Sequence, residues 1–89
     1  MQKNKINYSM LEEEFIKYVH KTYRIDLSIQ NLSLRPIDIG MDSLDAVEML
    51  LWAEEKFGIK TENSDYSETR PMLEFLELVY SRIPKSKKI

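Results

Sequence analysis

The 89-residue chain reads as all-α: a small four-helix bundle made of three long helices and one short one. Three observations carry that expectation. Apolar residues recur every three or four positions in three separate stretches, near 11–23, 44–57 and 72–83. Residues that start or stop helices sit at the ends of those stretches: Ser9, Asp42, Gly58, Pro71 and Pro84. Alternation suited to a strand occurs over residues 25–29, and no second strand is available to pair with it.

Taken in order, residues 1–7 form a polar lead, expected to be flexible. Ser9 suits the cap of the first helix, with Glu12 three residues on to complete a capping box. Leu11, Phe15, Tyr18, Val19 and Tyr23 or Thr22 then recur at helical spacing, so this helix runs to about Tyr23. Residues 24–41 are a long connection holding Ile25, Leu27, Ile29, Leu32, Leu34, Ile37 and Ile39, enough aliphatic surface to pack it across the bundle. The second helix runs from about Asp42 to Phe57 and is closed by Gly58 in a left-handed cap. Residues 60–70 are polar and hold at most one short helical turn, near Ser64–Glu68. Pro71 suits the first turn of the last helix. Met72, Phe75, Leu76, Val79 and Ile83 give that helix its apolar face, and Pro84 stops it. The domain therefore spans residues 8–84, and residues 85–89 are a basic, flexible tail.

Composition narrows the function classes. The chain holds no cysteine, so neither a disulfide framework nor a thiolate metal site is available. No apolar run is long enough to span a bilayer, and Met1-Gln-Lys-Asn-Lys lacks the apolar stretch of a signal peptide, so the expected location is the cytoplasm. The net charge of −2 conceals an asymmetry. Between Pro36 and Glu55 stand Asp38, Asp42, Asp45, Glu48, Glu54 and Glu55 with no lysine or arginine, whereas the rest of the chain is net basic. An acidic stretch of this kind favours a basic protein partner and disfavours nucleic acid.

The second helix presents apolar residues in two opposite directions. At 100° per residue, Ala46, Leu50, Ala53 and Phe57 form one stripe with Met49 at its edge, as a core-facing helix requires. Leu44, Val47 and Leu51 form a second stripe almost diametrically opposite, with Glu48 and Glu55 within it and Glu54 beside it. Carboxylates are almost never fully buried without partners, so burial of both faces is disfavoured and the second stripe reads as a docking surface. At the mouth of the helix, Gly40 breaks the preceding chain, and Asp42 or Ser43 can cap the first turn, with Asp45 placed for a capping box. Ser43 thus sits at the positive end of a helix, where an attached phosphate is electrostatically favoured.

Catalysis fails on inventory. A serine nucleophile needs a base, and the one histidine, His20, lies on the polar side of the first helix. No histidine follows Ser43. A transition-metal site would have to be built from carboxylates without clustered spacing, and two glycines cannot form a phosphate-cradling loop. The protein is expected not to be an enzyme, with Ser43 a substrate for another.

Residues 38–48, Asp-Ile-Gly-Met-Asp-Ser-Leu-Asp-Ala-Val-Glu, with the apolar run on to Phe57-Gly58-Ile59, resemble the acyl carrier proteins and related thiolation domains. The likeness extends over about residues 9–83 and is of motif strength at 38–57. It implies an acyl-carrier-like bundle in which Ser43 carries a covalent 4′-phosphopantetheine arm, flanked by Asp42 and Leu44. Leu44, Val47 and Leu51 would be apolar anchors for partners, with Asp42, Asp45, Glu48 and Glu55 as electrostatic guides.

The partners implied are a phosphopantetheinyl transferase and acyl ligases, acyltransferases or ketosynthase-type enzymes with basic docking surfaces. The resemblance thus suggests a stand-alone, monomeric acyl carrier of fatty acid, polyketide or another specialised acyl metabolism, without stable membrane association. Two other readings stay open: a peptidyl or aminoacyl carrier served by an adenylating enzyme, and a helical adaptor without a prosthetic group.

Three departures from the family pattern bear on cargo. Carriers of fatty acid synthesis usually place aliphatic residues along 59–70 to line a slot for the acyl chain, and here the corresponding positions are Thr61, Tyr66 and Thr69. Arg35 stands where a phenylalanine often anchors the loop, leaving that packing to Leu34 or Ile37. Trp52 stands at a commonly small position, between the core and docking faces, and partial core burial is expected for it. The polar 60–70 segment implies short or polar cargo, or a long chain left largely exposed.

Overall fold

The computed structural model describes residues 5–89. Helix α1 spans Tyr8–Tyr23, α2 spans Ser43–Phe57 and α3 spans Met72–Arg82. The connections carry single 3-10 turns at Ile29–Ser33, Pro36–Ile39, Asn63–Asp65 and Lys85–Lys87. The all-α expectation holds, and the short fourth helix is reduced to the 3-10 turn at Asn63–Asp65.

Helix ends follow local chemistry. Asn7, not Ser9, caps α1: its side chain accepts from the Met10 amide at 2.9 Å, which leaves Ser9 inside the helix. Asparagine is at least as good a cap as serine, and Asn7 precedes the first apolar contact of the helix. The helix ends with Arg24 in the left-handed region, its amide donating to the His20 carbonyl. Beyond that end, His20 pairs with Asp26 at 2.7 Å on the surface.

The core lies where the three helices meet. Leu11, Phe15 and Val19 enter it from α1, Ala46, Met49, Leu50 and Ala53 from α2, and Met72, Phe75, Leu76 and Val79 from α3. Ion pairing and hydrogen bonding join α1 to α2 at the surface, through Glu14 with Lys56 at 3.2 Å and the Tyr23 hydroxyl donating to Glu48 at 2.7 Å. Trp52 is half-buried, stacked on Tyr18 with ring centroids 4.6 Å apart and set edge-on to Phe57. Partial core burial is therefore the outcome for Trp52, and its ring continues a run of aromatic contacts through Phe15 and Phe75.

The 24–41 connection packs against the bundle through part of its aliphatic set, with Ile25, Leu27 and Ile39 half-buried on the core. Leu32, Pro36 and Met41 are buried, whereas Ile29, Leu34 and Ile37 are exposed. Pro36 and Met41 take the anchoring place expected of Leu34 or Ile37. Proline gives up no backbone donor on burial, so it seats in the core without an unmet amide.

The expected flexible lead and tail meet each other. Ile6 and Lys88 form a parallel bridge, with the Ile6 amide donating to the Lys87 carbonyl and the Ile89 amide to the Ile6 carbonyl, both at 2.9 Å. The Lys88 ammonium lies 4.3 Å from the Tyr80 ring centroid, a cation–π contact. Residues 1–4 of the lead lie outside the described residues.

Candidate functional site

The mouth of α2 is built from a tight turn and a helix cap. The turn at Pro36–Ile39 closes with Gly40 at φ +89°. No atom lies within 4 Å of a Cβ placed there, so backbone conformation and not space demands glycine. Arg35 pins the turn: its amide, Nε and Nη2 donate to the Asp38 carboxylate at 3.0, 3.0 and 2.7 Å. Those hydrogen bonds hold the Asp38 carboxyl down at about 2. The Met41 amide then donates to the Pro36 carbonyl and the Met41 side chain enters the core, which turns the chain into α2.

Asp42 is the cap, in a reciprocal box with Asp45. The Asp45 amide donates to Asp42 Oδ1 at 3.1 Å, and the Asp42 amide donates to Asp45 Oδ2 at 2.9 Å. Two of the acids nearest Ser43 therefore already face backbone N–H groups. Ser43 is exposed at the first helical position, and its hydroxyl has no part in this cap. The amides of Ser43 and Leu44 lie in the first turn, where the helix itself supplies no acceptor. An exposed hydroxyl beside unmet donors and a positive helix end suits a phosphodiester. The residues present fit such a group.

The outward face of α2 is as its periodicity implies. Leu44 is 72% exposed and Leu51 53% exposed, with Val47 half-buried between them. Glu48 and Glu55 are exposed on the same side, and the Tyr23 hydroxyl holds Glu48. Burial and that hydrogen bond push the Tyr23 hydroxyl pKa up, so it stays a donor at neutral pH. Glu54 is directed elsewhere: its Oε2 accepts from both the amide and hydroxyl of Thr61, at 2.7 and 3.0 Å. Arg35 pairs with Asp38, so that acid adds little to the field of the stretch.

Two features of the site were not anticipated. The Arg35–Asp38 pair had a sequence signal, opposite charges three residues apart across a proline. The Tyr23–Glu48 bond had none, because its partners are 25 residues apart. Three surface clefts lie elsewhere, and none of them is lined by a residue of 35–51. Among the described residues no cluster of His, Asp or Glu is grouped to hold a metal, and no helix is long and apolar enough to cross a membrane.

The family described as "phosphopantetheine attachment site" matches residues 13–71, more than half of the chain. The protein belongs to that family of carrier domains, which bear 4′-phosphopantetheine covalently and do no chemistry of their own. The match takes in most of α1, the 24–41 connection and all of α2. No curated protein and no solved structure matches the chain significantly. Membership implies two kinds of partner, a phosphopantetheinyl transferase and enzymes that load or use acyl groups.

Proposed function

We propose that Ser43 is the attachment residue and that the protein is an acyl carrier whose partners dock on the outer face of α2. The observation that carries this reading is the placement of an exposed serine at the first position of α2, outside the capping hydrogen bonds and next to an exposed leucine–glutamate face. A transferase, using its own base and metal, would join the arm's phosphate to the Ser43 oxygen, taking up the hydroxyl proton and breaking the pyrophosphate of coenzyme A to release adenosine 3′,5′-bisphosphate. The thiol of the attached group supplies thioester chemistry, keeping an acyl carbonyl activated for transfer.

The chain's own residues hold and present. Asp42 and Asp45 fix the helix start, Arg35 and Asp38 fix the turn before it, and the amides of Ser43 and Leu44 would be the donors available to the phosphate. Leu44, Val47 and Leu51 offer apolar contact, while Glu48 and Glu55 attract a basic surface and orient its approach. The acid-rich helix favours acyl metabolism, including specialised fatty acid or polyketide pathways, over an aminoacyl carrier.

Incubation with coenzyme A and a broad-specificity transferase, followed by intact mass, tests the site. The wild type gains one phosphopantetheine and Ser43→Ala gains none, with helix content and melting nearly unchanged. Modification of the alanine variant would overturn the assignment, and an unmodified wild type would favour an adaptor.

A further inference from the structure

The side of the bundle between α2 and α3 is closed by the segment from Ile59 to Pro71, and side-chain and backbone hydrogen bonds tie that closure. Tyr66 is 3% exposed despite lying in a polar stretch, with its ring centroid 5.3 Å from that of Phe75. Its hydroxyl donates to the Arg70 carbonyl at 2.8 Å, and burial pushes the hydroxyl pKa up, so the donor is kept at neutral pH.

Ties run outward from Tyr66 on every side. Arg70 donates to the Asp65 carbonyl and to Glu74, both at 2.8 Å. Arg82 of α3 donates to Asp65 at 3.0 Å and to the Lys60 carbonyl at 2.9 Å. Thr61 is fastened to Glu54 of α2 through both its amide and its hydroxyl. Toward Ser43, the Ile37 amide donates to the Glu68 carbonyl at 3.1 Å and the Met72 amide to the Leu34 carbonyl at 2.9 Å. The segment is thus joined to both helices and to the loop that leads into the serine.

A long acyl group gains free energy with each methylene taken out of water, so it will enter a carrier whose wall yields. Entry here requires displacing a buried tyrosine ring and breaking its part-buried hydroxyl–carbonyl hydrogen bond, which opposes that gain. We propose that Tyr66 is the residue that excludes acyl chains from this bundle, so that cargo on the arm travels outside it whatever its length. The proposal rests on the carrier reading of Ser43 and deepens it from attachment to cargo handling. It also gives a use to the polar composition of 60–70, whose side chains lace the wall and leave none of it to line a slot.

The test loads the wild-type protein from acetyl- and from octanoyl-coenzyme A with a broad-specificity transferase, and intact mass verifies each product. Cleavage of the thioester by hydroxylamine and the melting temperature are then measured. In the wild type the two thioesters should be cleaved at the same rate, with nearly equal melting temperatures. In Tyr66→Ala the octanoyl form alone should be protected, on the order of tenfold, as burial of two methylenes would give, and should melt higher than the acetyl form.

Tyr66→Phe keeps the ring and should behave as the wild type. Tyr66→Leu preserves more of the core and serves if the alanine variant does not fold. Protection of octanoyl in the wild type overturns the proposal and leaves the carrier reading intact, as does unchanged octanoyl cleavage in both folded small variants. Failure of the wild type to take either group overturns the carrier reading and the proposal with it.

Discussion

Leu50 and Leu51 are neighbours on α2 with opposite surroundings, 1% and 53% exposed. The inward face of the helix (Ala46, Met49, Leu50, Ala53) is packed against α1 and α3, whereas the outward face offers Leu44, Val47 and Leu51 among acids. Equal hydrophobicity therefore serves two ends within one turn. On the inner side it stabilises the fold at all times, and on the outer side, in the docking role proposed above, it would contribute when a partner covers it. A helix needing only the first would have polar residues at 44 and 51.

Truncation should separate the two faces most strongly. Leu50→Ala is expected to destabilise by about 2–5 kcal/mol through lost burial and a residual cavity. Leu51→Ala should cost well under about 1 kcal/mol in chemical denaturation, and yet weaken docking to the transferase. Comparable losses of stability from both variants would show that the outer face is packed in solution.

Charge should matter next. Glu48→Lys is expected to slow association with the transferase, measured by stopped flow, and the effect should shrink as salt is raised. Tyr23 sharpens the comparison, since removing its hydroxyl in Tyr23→Phe leaves the Glu48 charge in place and should alter that rate far less. A salt-independent loss would assign Glu48 a contact role in place of steering.

The smallest effect concerns the turn before Ser43. The folded Asp38 carboxyl sits near 2 against an ordinary 3.8, mainly through its hydrogen bonds from Arg35. A depressed carboxylate stabilises the fold above its unfolded value and loses that contribution as pH falls through the folded one. Acid titration of the melting temperature should therefore show part of its fall between about pH 4 and pH 2. Asp38→Asn should flatten that part of the curve while leaving the outer face of α2 unchanged, and an unaltered acid limb would remove Asp38 from the account.

The helices and their faces were readable because period and caps are local signals. Asp42, Gly58 and Pro71 mark ends, and the 100° spacing separates Leu50 from Leu51 without any tertiary knowledge. The connection was less readable because burial there depends on which residues a 3-10 turn turns inward. Composition counted Ile29, Leu34 and Ile37 among the packing residues, and the turns leave these three exposed while burying Leu32, as expected, together with Pro36 and Met41. Asn7 and Ser9 are both good caps, and the sequence alone does not say which of them precedes the first turn. The pairing of Ile6 with Lys88 links positions at opposite ends of the chain and leaves no local trace. Of the site, the serine and its helix stood out at once, and the tyrosine that holds Glu48 did not.

The strap formed by Ile6 and residues 85–89 fixes where the basic tail lies. The Lys87 ammonium is 3.6 Å from a Cβ placed at Gly58, the cap that closes α2 at the end opposite Ser43. Fifteen helical residues separate the two ends, about 22 Å at 1.5 Å per residue. The strap therefore holds the lysines of the tail at the end of α2 remote from Ser43, on the side where Glu14 of α1 pairs with Lys56. On the carrier reading proposed above, a basic partner docked at the serine would not meet these like charges at short range, since that separation exceeds the Debye length of about 8 Å at physiological salt.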